Sequence, residues 1–528
     1  MKPILNPGLW QGGEDAWATG HLHCPDGAYY EGKQIIDYFS SAKDEATLCT
    51  LAKQANGCFG YICMLEGSCY AFMDAVRSYP LFYAVTPSDL SISDNTNNLQ
   101  LLNASVLSNT PPDIMAEYLL TGYVTGNDTL IPSLYQIPAG HYLKWSKGTE
   151  PKLVQYYRFT HTEPDEGKLQ DYLEKLDTIH LALAHRLTDS LQGRTAIVPL
   201  SGGYDSRLVA WLLKRVNYPK VCCFSYGTPN NPESRISKAV ADQLGWDWRF
   251  VPHSRTSWYR AFQSRNMKDF FAYATNASSG VNIQDWLAVK VLHDSKIIPE
   301  VGVFVPGHTG DFVEGMHLPP EYGARTDFTR EELINQIIHA HYNLWEWEHE
   351  DYYDAIAKRI GMQISIPQRM NAVTAASLFE EWEWGQRQAK SIVNSLRVYE
   401  FFGYGWRIPL WDKELLDFWS TVPLTLRYNR NLWNQYQKQY IKLPVPYLAK
   451  PPWSERIPNK LIRSTIGDIM DVRYGRFANP RNMLQFSLAR VESLLNPEQK
   501  YPAFIHPKQR LLRSTINGLQ ALISISEV

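Results

Sequence analysis

The chain lacks any apolar run approaching the ~20 residues that span a bilayer. Its best stretch, residues 297–305, is short and carries Pro299 and Glu300. It also lacks a basic start leading into an apolar segment, so neither a secretory leader nor a membrane anchor is expected. A dominant charge is missing too: 52 basic residues face 54 acidic ones for a net charge of −2, which removes the electrostatic case for wrapping nucleic acid. The seven cysteines, at 24, 49, 58, 63, 69, 222 and 223, are an odd number with no zinc-type spacing. The adjacent pair Cys222-Cys223 reads as small hydrophobes on an apolar strand, and a reducing cytoplasm is the expected location. Neither a Gly-rich loop ending in Gly-Lys-Ser/Thr nor a three-glycine dinucleotide fingerprint occurs, and no internal repeat is visible.

What is present is Ala196-Ile197-Val198-Pro199-Leu200 followed by Ser201-Gly202-Gly203-Tyr204-Asp205-Ser206-Arg207. The apolar run suits a buried strand, and Leu208, Val209, Leu212 and Leu213 recur at helical spacing, so the glycines stand between strand and helix. Gly202 and Gly203 let the backbone turn tightly and approach an anion, and amides at the helix start can cradle phosphate oxygens. Ser201 and Ser206 add hydroxyl donors, whereas Asp205 cannot meet phosphate alone and is better explained as a magnesium ligand. The bland reading is a Gly-rich turn with a Ser/Asp helix cap. The fixed pattern should arise by chance in about one chain in a thousand of this length, so an ATP pyrophosphate site is preferred.

At this motif the chain resembles the PP-loop ATP pyrophosphatases, and more closely the synthetase domain of the asparagine synthetase family. The resemblance continues through Phe224-Ser225-Tyr226-Gly227, through residues 233–245, and through Gly307-His308-Thr309-Gly310-Asp311. It implies cleavage of ATP between its α and β phosphates, activation of a substrate carboxylate as an acyl-adenylate, and displacement of AMP by an amine. Carried over by position, Leu200, Ser225 and Tyr226 would border the adenine. Ser201, Gly202, Gly203, Asp205, Ser206 and Gly307 would hold pyrophosphate and magnesium, and Asp311 would complete the metal site. ATP and Mg2+ are the implied cofactors. His308 stands where the family usually has a carboxylate that handles the amine, and Phe312 replaces a second acidic group. A neutral imidazole accepts a proton near pH 7 but cannot hold ammonium as a fixed carboxylate would, so His308 is a candidate catalytic group for a different acceptor.

Residues 50–145 carry short aromatic or branched runs broken by turns, which predict an antiparallel sheet flanked by helices. Asn56-Gly57-Cys58-Phe59-Gly60-Tyr61 and residues 74–83 resemble the family's glutamine-hydrolysing domain. That domain needs Cys directly after the initiator Met, where this chain has Lys2, and Trp17-Ala18-Thr19-Gly20-His21 stands in place of its Asn-Gly-Glu signature. The expectation is a truncated Ntn-hydrolase-like α/β sandwich over residues 1–160, without glutaminase activity. A polar connector at 160–167 then leads to a Rossmann-like PP-loop nucleotide-binding domain over 165–528, with a largely helical C-terminal part.

The block from Glu381 through Lys390, with Asn394, Arg397 and Glu400, corresponds to the family's acceptor region, and helical spacing would put Arg387, Asn394 and Arg397 on one face. Arg387 is the candidate contact for a carboxylate or phosphate, against an equally weighted helical ion network. Lys450 loosely resembles the family's late charge-stabilising lysine, with Lys438 and Lys442 as competitors. Glu346, Glu348, Asp351 and Asp354 read as a solvated helix face. The expected activity is an ATP-dependent amide-forming ligase that joins a small-molecule or peptide carboxylate to ammonia or an amine, releasing AMP and pyrophosphate. Asparagine synthetase activity and a noncatalytic nucleotide-responsive assembly protein are the alternatives. No nucleic acid or membrane partner is expected, and a homodimer or a separate ammonia-supplying subunit is compatible with the chain.

Overall fold

The computed structural model describes residues 3–85, 89–99, 109–163, 167–344 and 352–445 of the 528. Lys450, Glu346, Glu348 and Asp351 lie outside the described residues.

In the N-terminal part, alternation of apolar side chains builds a seven-stranded antiparallel sheet around the long strands Ala16–His23, Asn56–Leu65, Ser68–Met73 and His141–Ser146. One face stacks aromatic rings against the helices Gln34–Phe39 and Glu45–Gln54, with Phe39 lying 4.3 Å from Tyr61 and Phe72 4.5 Å from Tyr142 between ring centres. The opposite face, including Ile62, Ala71 and Met73, joins a buried cluster that continues into the C-terminal part through Trp286, Phe304 and Trp406. A three-stranded antiparallel sheet, Phe82–Val85 between Leu90–Ser93 and Leu134–Gln136, supplements it. The mixture of antiparallel sheets and helices is the α/β character expected of residues 1–160.

The C-terminal part is organised by a five-stranded sheet in the order Asp247–Pro252, Val221–Gly227, Ala196–Pro199, Val303–Phe304, Gly405–Trp406, with every pairing parallel. Parallel strands need crossovers, and helices Tyr204–Arg215 and Pro232–Leu244 supply the first two. The chain steps outward from Ala196–Pro199 to one edge, then returns to place Val303–Phe304 on the other side of its starting strand. That reversal opens a crevice beyond the carboxyl ends of those two strands, the place where doubly wound sheets bind ligands. The remainder is mostly helical, as expected. The described cysteines are free, and Cys222 and Cys223 are buried on their strand. No helix among the described residues is long and apolar enough to cross a membrane.

The two parts share partly buried polar ties. Arg407 donates to Glu31 at 2.8 Å, and the Trp384 indole donates to the Ala75 carbonyl at 2.7 Å. Asn56 also donates to Asp412 at 3.0 Å.

Candidate active site at the sheet crevice

The strand Ala196–Pro199 ends in a loop whose hydroxyls are preorganised. Ser206 Oγ accepts the Ser201 amide at 3.1 Å and lies 3.0 Å from Ser201 Oγ, which accepts the Gly203 amide at 3.1 Å. No side chain caps the N-terminus of helix Tyr204–Arg215, so its first amides face the crevice without a local acceptor from the cap. Neither Gly202 nor Gly203 takes a positive φ, contrary to the tight-turn expectation, and Gly203 is extended at φ −82° and ψ −177°. Their value lies in leaving the cavity uncovered rather than in a left-handed turn.

The second wall comes from the loop after Val303–Phe304. A Cβ on Gly307 would stand 2.4 Å from the Ser206 amide nitrogen, and one on Gly310 would stand 2.5 Å from the Asp205 carboxyl carbon. These two glycines therefore let the loops touch. The contact brings the Asp311 amide to Asp205 Oδ2 at 3.1 Å although the residues are 106 apart in sequence. Together the loops bound a cavity of 390 Å³ whose lining includes Ser201, Gly202, Gly203, Asp205, Ser206, Tyr226, Gly307, His308 and Asp311. Leu200 and Ser225 behave differently. The Leu200 side chain, 1% exposed, packs in the core with Val198 and Val305, and Ser225 is buried on its strand outside that lining.

Asp205, Asp311 and Glu314 place ligand oxygens within 4.8 Å of one another. Three hard oxygen donors suit a magnesium ion. Glu314 is a residue that the sequence reading passed over: the carboxylate missing at Phe312 is supplied two positions later, where the short helix Gly310–Val313 ends. Burial and the neighbouring Asp311 push the Asp205 carboxyl above its ordinary range, with Arg430 opposing them. Burial likewise raises Glu314 against Arg430. Arg430 itself donates to Asp311 at 2.8 Å and to Asp205 at 3.4 Å, and it contacts Glu314. No sequence signal linked it to a motif 119 residues away.

His308 lines the cavity half-buried, its enclosed Nδ1 has no hydrogen-bond partner among the described residues, and desolvation lowers its pKa against the pull of Asp285. It is therefore a neutral imidazole at pH 7, the form able to accept a proton. Asp285, also missed in the sequence, is held by the Tyr226 and Tyr399 hydroxyls at 2.5 and 2.6 Å.

Arg387 lies outside the cavity lining and pairs with buried Glu383 at 2.7 Å, one helical turn back. The same Glu383 oxygen accepts His317 Nδ1 at 2.7 Å. Burial opposes ionisation of Glu383, but His317 and Arg387 overcome it and hold that carboxyl low, while Glu383 holds His317 above its ordinary value against burial. Arg387, Asn394 and Arg397 do not share a face. Residues Trp384–Ile392 form a π-helix followed by a 3-10 turn, so Asn394 turns to the carbonyl of Ala274 and Arg397 to that of Ser78. Lys438 and Lys442 are exposed.

Residues 182–442 match the asparagine synthase family. Among curated proteins, the microcin J25-processing protein McjC of Escherichia coli is 21% identical over 197 residues, which cover 36% of this chain and 35% of McjC. The match thus spans about a third of that relative. Among solved structures, the glutamine phosphoribosylpyrophosphate amidotransferase from B. subtilis, complexed with ADP and GMP, aligns at 10% identity over 46% of this chain and 48% of its own, with a TM-score of 0.18. That score is too low to relate the folds, and the α/β class rests on the sheets described above.

Proposed function

We propose that this chain, which belongs to the asparagine synthetase family through residues 182–442, activates a carboxylate with ATP and transfers the acyl group to an amine. The observation that carries the reading is the meeting of two loops at the sheet crevice, a hydroxyl-lined anion cradle on one side and three convergent carboxylates on the other. In this reading Ser201, Ser206 and the first amides of helix Tyr204–Arg215 bind the β and γ phosphates. Asp205, Asp311 and Glu314 would hold magnesium, which when bound neutralises charge on the departing pyrophosphate. The substrate carboxylate oxygen bonds to the α phosphorus as the bond to the pyrophosphate oxygen breaks. The amine nitrogen then bonds to the acyl carbon, AMP leaves with that carboxylate oxygen, and His308 takes the amine proton. Tyr226, tied to Asp285 and stacked 5.0 Å from His253, forms the wall on which the base would lie.

Arg387 and His317, two cations sharing one buried carboxylate outside the cavity lining, leave a net positive charge that would draw an acidic substrate toward the site. For the substrate class, McjC, a microcin J25-processing protein, favours a peptide precursor over a small metabolite. The amine comes from that substrate, from ammonia, or from a separate subunit.

ATP–pyrophosphate exchange over pooled peptide and metabolite carboxylates tests this reading. Exchange should appear with one carboxylate class, require magnesium, and vanish in D205N. Cognate turnover that instead yields ADP and phosphate would reject the mechanism.

A further inference from the structure

Arg430 is 7% exposed and its guanidinium lies inside the carboxylate triad. One nitrogen donates to Asp311 at 2.8 Å, and the other reaches Asp205 at 3.4 Å and touches Glu314. Its Nε is buried without a partner, so the group is committed to the acids rather than to a general hydrogen-bond network. Tyr204 and Trp433 flank the guanidinium at 5.1 and 5.7 Å from their ring centres. The backbone carrying it is unusual as well. Asn429 and Arg430 both occupy the left-handed region, at φ 53° and 57°, and Arg430 sits directly before helix Asn431–Tyr440. Two consecutive non-glycine residues in that region are unfavourable and persist only where the surroundings hold them.

We infer that Arg430 is a displaceable counter-cation that makes divalent-metal binding at Asp205, Asp311 and Glu314 conditional on the nucleotide. The inference rests on the metal role proposed above for those three residues. Three carboxylates this close, with Glu314 buried and Asp205 and Asp311 partly so, repel one another and favour a positive charge among them. A magnesium ion binds oxygens at about 2.0–2.1 Å, and a guanidinium hydrogen-bonded to the same oxygens would be a like charge beside it. The two cations therefore compete. Without nucleotide, the metal must evict an arginine whose carboxylate contacts are those same three acids. With a polyphosphate in the cavity, the guanidinium gains phosphate oxygens as new acceptors, so eviction becomes favourable. Metal and nucleotide then enter as a coupled pair, and the charge leaving the triad moves toward the phosphates.

The test is Mn2+ binding to the full chain, read by calorimetry or electron paramagnetic resonance. For wild type we expect weak Mn2+ binding alone and at least about tenfold tighter binding with a nonhydrolysable α,β-methylene ATP analogue. R430Q should bind Mn2+ alone about tenfold more tightly than wild type and lose most of the analogue's effect, whereas R430K should keep the coupling. Equal or weaker Mn2+ binding by folded R430Q in the absence of nucleotide overturns the inference. Should R430Q not fold, wild type still decides: Mn2+ alone should leave its melting temperature unchanged, and Mn2+ with the analogue should raise it. An equal rise with Mn2+ alone overturns the inference. Failure of D205N to weaken Mn2+ binding in the presence of the analogue would instead remove the metal role on which the inference stands, so the two failures are distinguishable.

Discussion

His308 concentrates the chemistry that distinguishes this site. A fixed carboxylate at its position would hold an ammonium ion, whereas a half-buried neutral imidazole with an unpaired Nδ1 favours an amine that arrives uncharged or gives up its proton during bond formation. H308A should lower amide formation by about a hundredfold while leaving the analogue's affinity within a few-fold of wild type. H308Q, which keeps a polar contact but cannot accept a proton at pH 7, should be as slow as H308A. Single-turnover rates and equilibrium binding separate the two effects, and a parallel loss of both would assign His308 to nucleotide binding. Much of this was legible from residue identity alone. Ser201, Asp205, Ser206, His308 and Asp311 were marked by motif, and all of them come to one cavity. Leu200 was placed at the adenine by the same resemblance, yet its side chain points into the core, because a strand alternates its faces and Ser201 takes the cavity side.

The loops after Ala196–Pro199 and Val303–Phe304 work as one unit because two glycines let them touch. G307A would drive a methyl against the Ser206 amide at the start of the helix. Relief requires one loop to move, an overpacking cost of about 1–3 kcal/mol. The same movement would misplace the serine hydroxyls. G307A should therefore lose both thermal stability and analogue affinity, whereas G203A, whose Cβ would meet only the Ser201 hydroxyl at 3.2 Å, should lose affinity with little stability change. Thermal unfolding and calorimetry on the two variants check the contrast. The strand and helix of the first loop were readable from the change of period at Leu208. The partnership with the second loop was not, since strand order across a parallel sheet leaves no mark in local sequence. The acceptor region shows a further limit. Spacing by 3.6 residues grouped Arg387 with Asn394 and Arg397, and the π-helix Trp384–Ile392 breaks that period beyond Arg387, whose i,i+4 pair with Glu383 is the helical ion network that the same spacing also allowed.

Burial of histidine throughout the molecule gives its stability a pH signature. His180, fully enclosed between Trp433 and Tyr436, has its pKa lowered to about 3 by burial. The unfolded chain takes up that proton near pH 6.5, well before the folded protein does, so the contribution is complete above pH 6.5 and declines as pH falls below it. At pH 5 the loss from this group is about 2 kcal/mol, at ~1.4 kcal/mol per unit. Buried carboxyls raised by burial, such as Glu314 and Glu400, act in the opposite direction, so the discriminating quantity is a difference between proteins. H180F removes the titrating group with similar volume, and its melting temperature relative to wild type should rise between pH 7 and pH 5. A constant difference would contradict the burial account.

At the level of the assembled chain, the reaction follows from a parallel sheet that reverses at its central strands, since the reversal brings an anion cradle and an acid triad to the same crevice. The N-terminal sheets dock on this body through Glu31 with Arg407 and Asn56 with Asp412, contacts between positions too distant in sequence for any spacing rule to pair them. The decisive observation is the fate of oxygen in the cognate carboxylate. With 18O in both carboxyl positions, turnover should deliver one labelled oxygen to AMP and leave the other in the amide, with none in pyrophosphate, as read by mass spectrometry of the products. Label in orthophosphate, with ADP as the nucleotide product, would contradict attack at the α phosphate and with it the function assigned to this site.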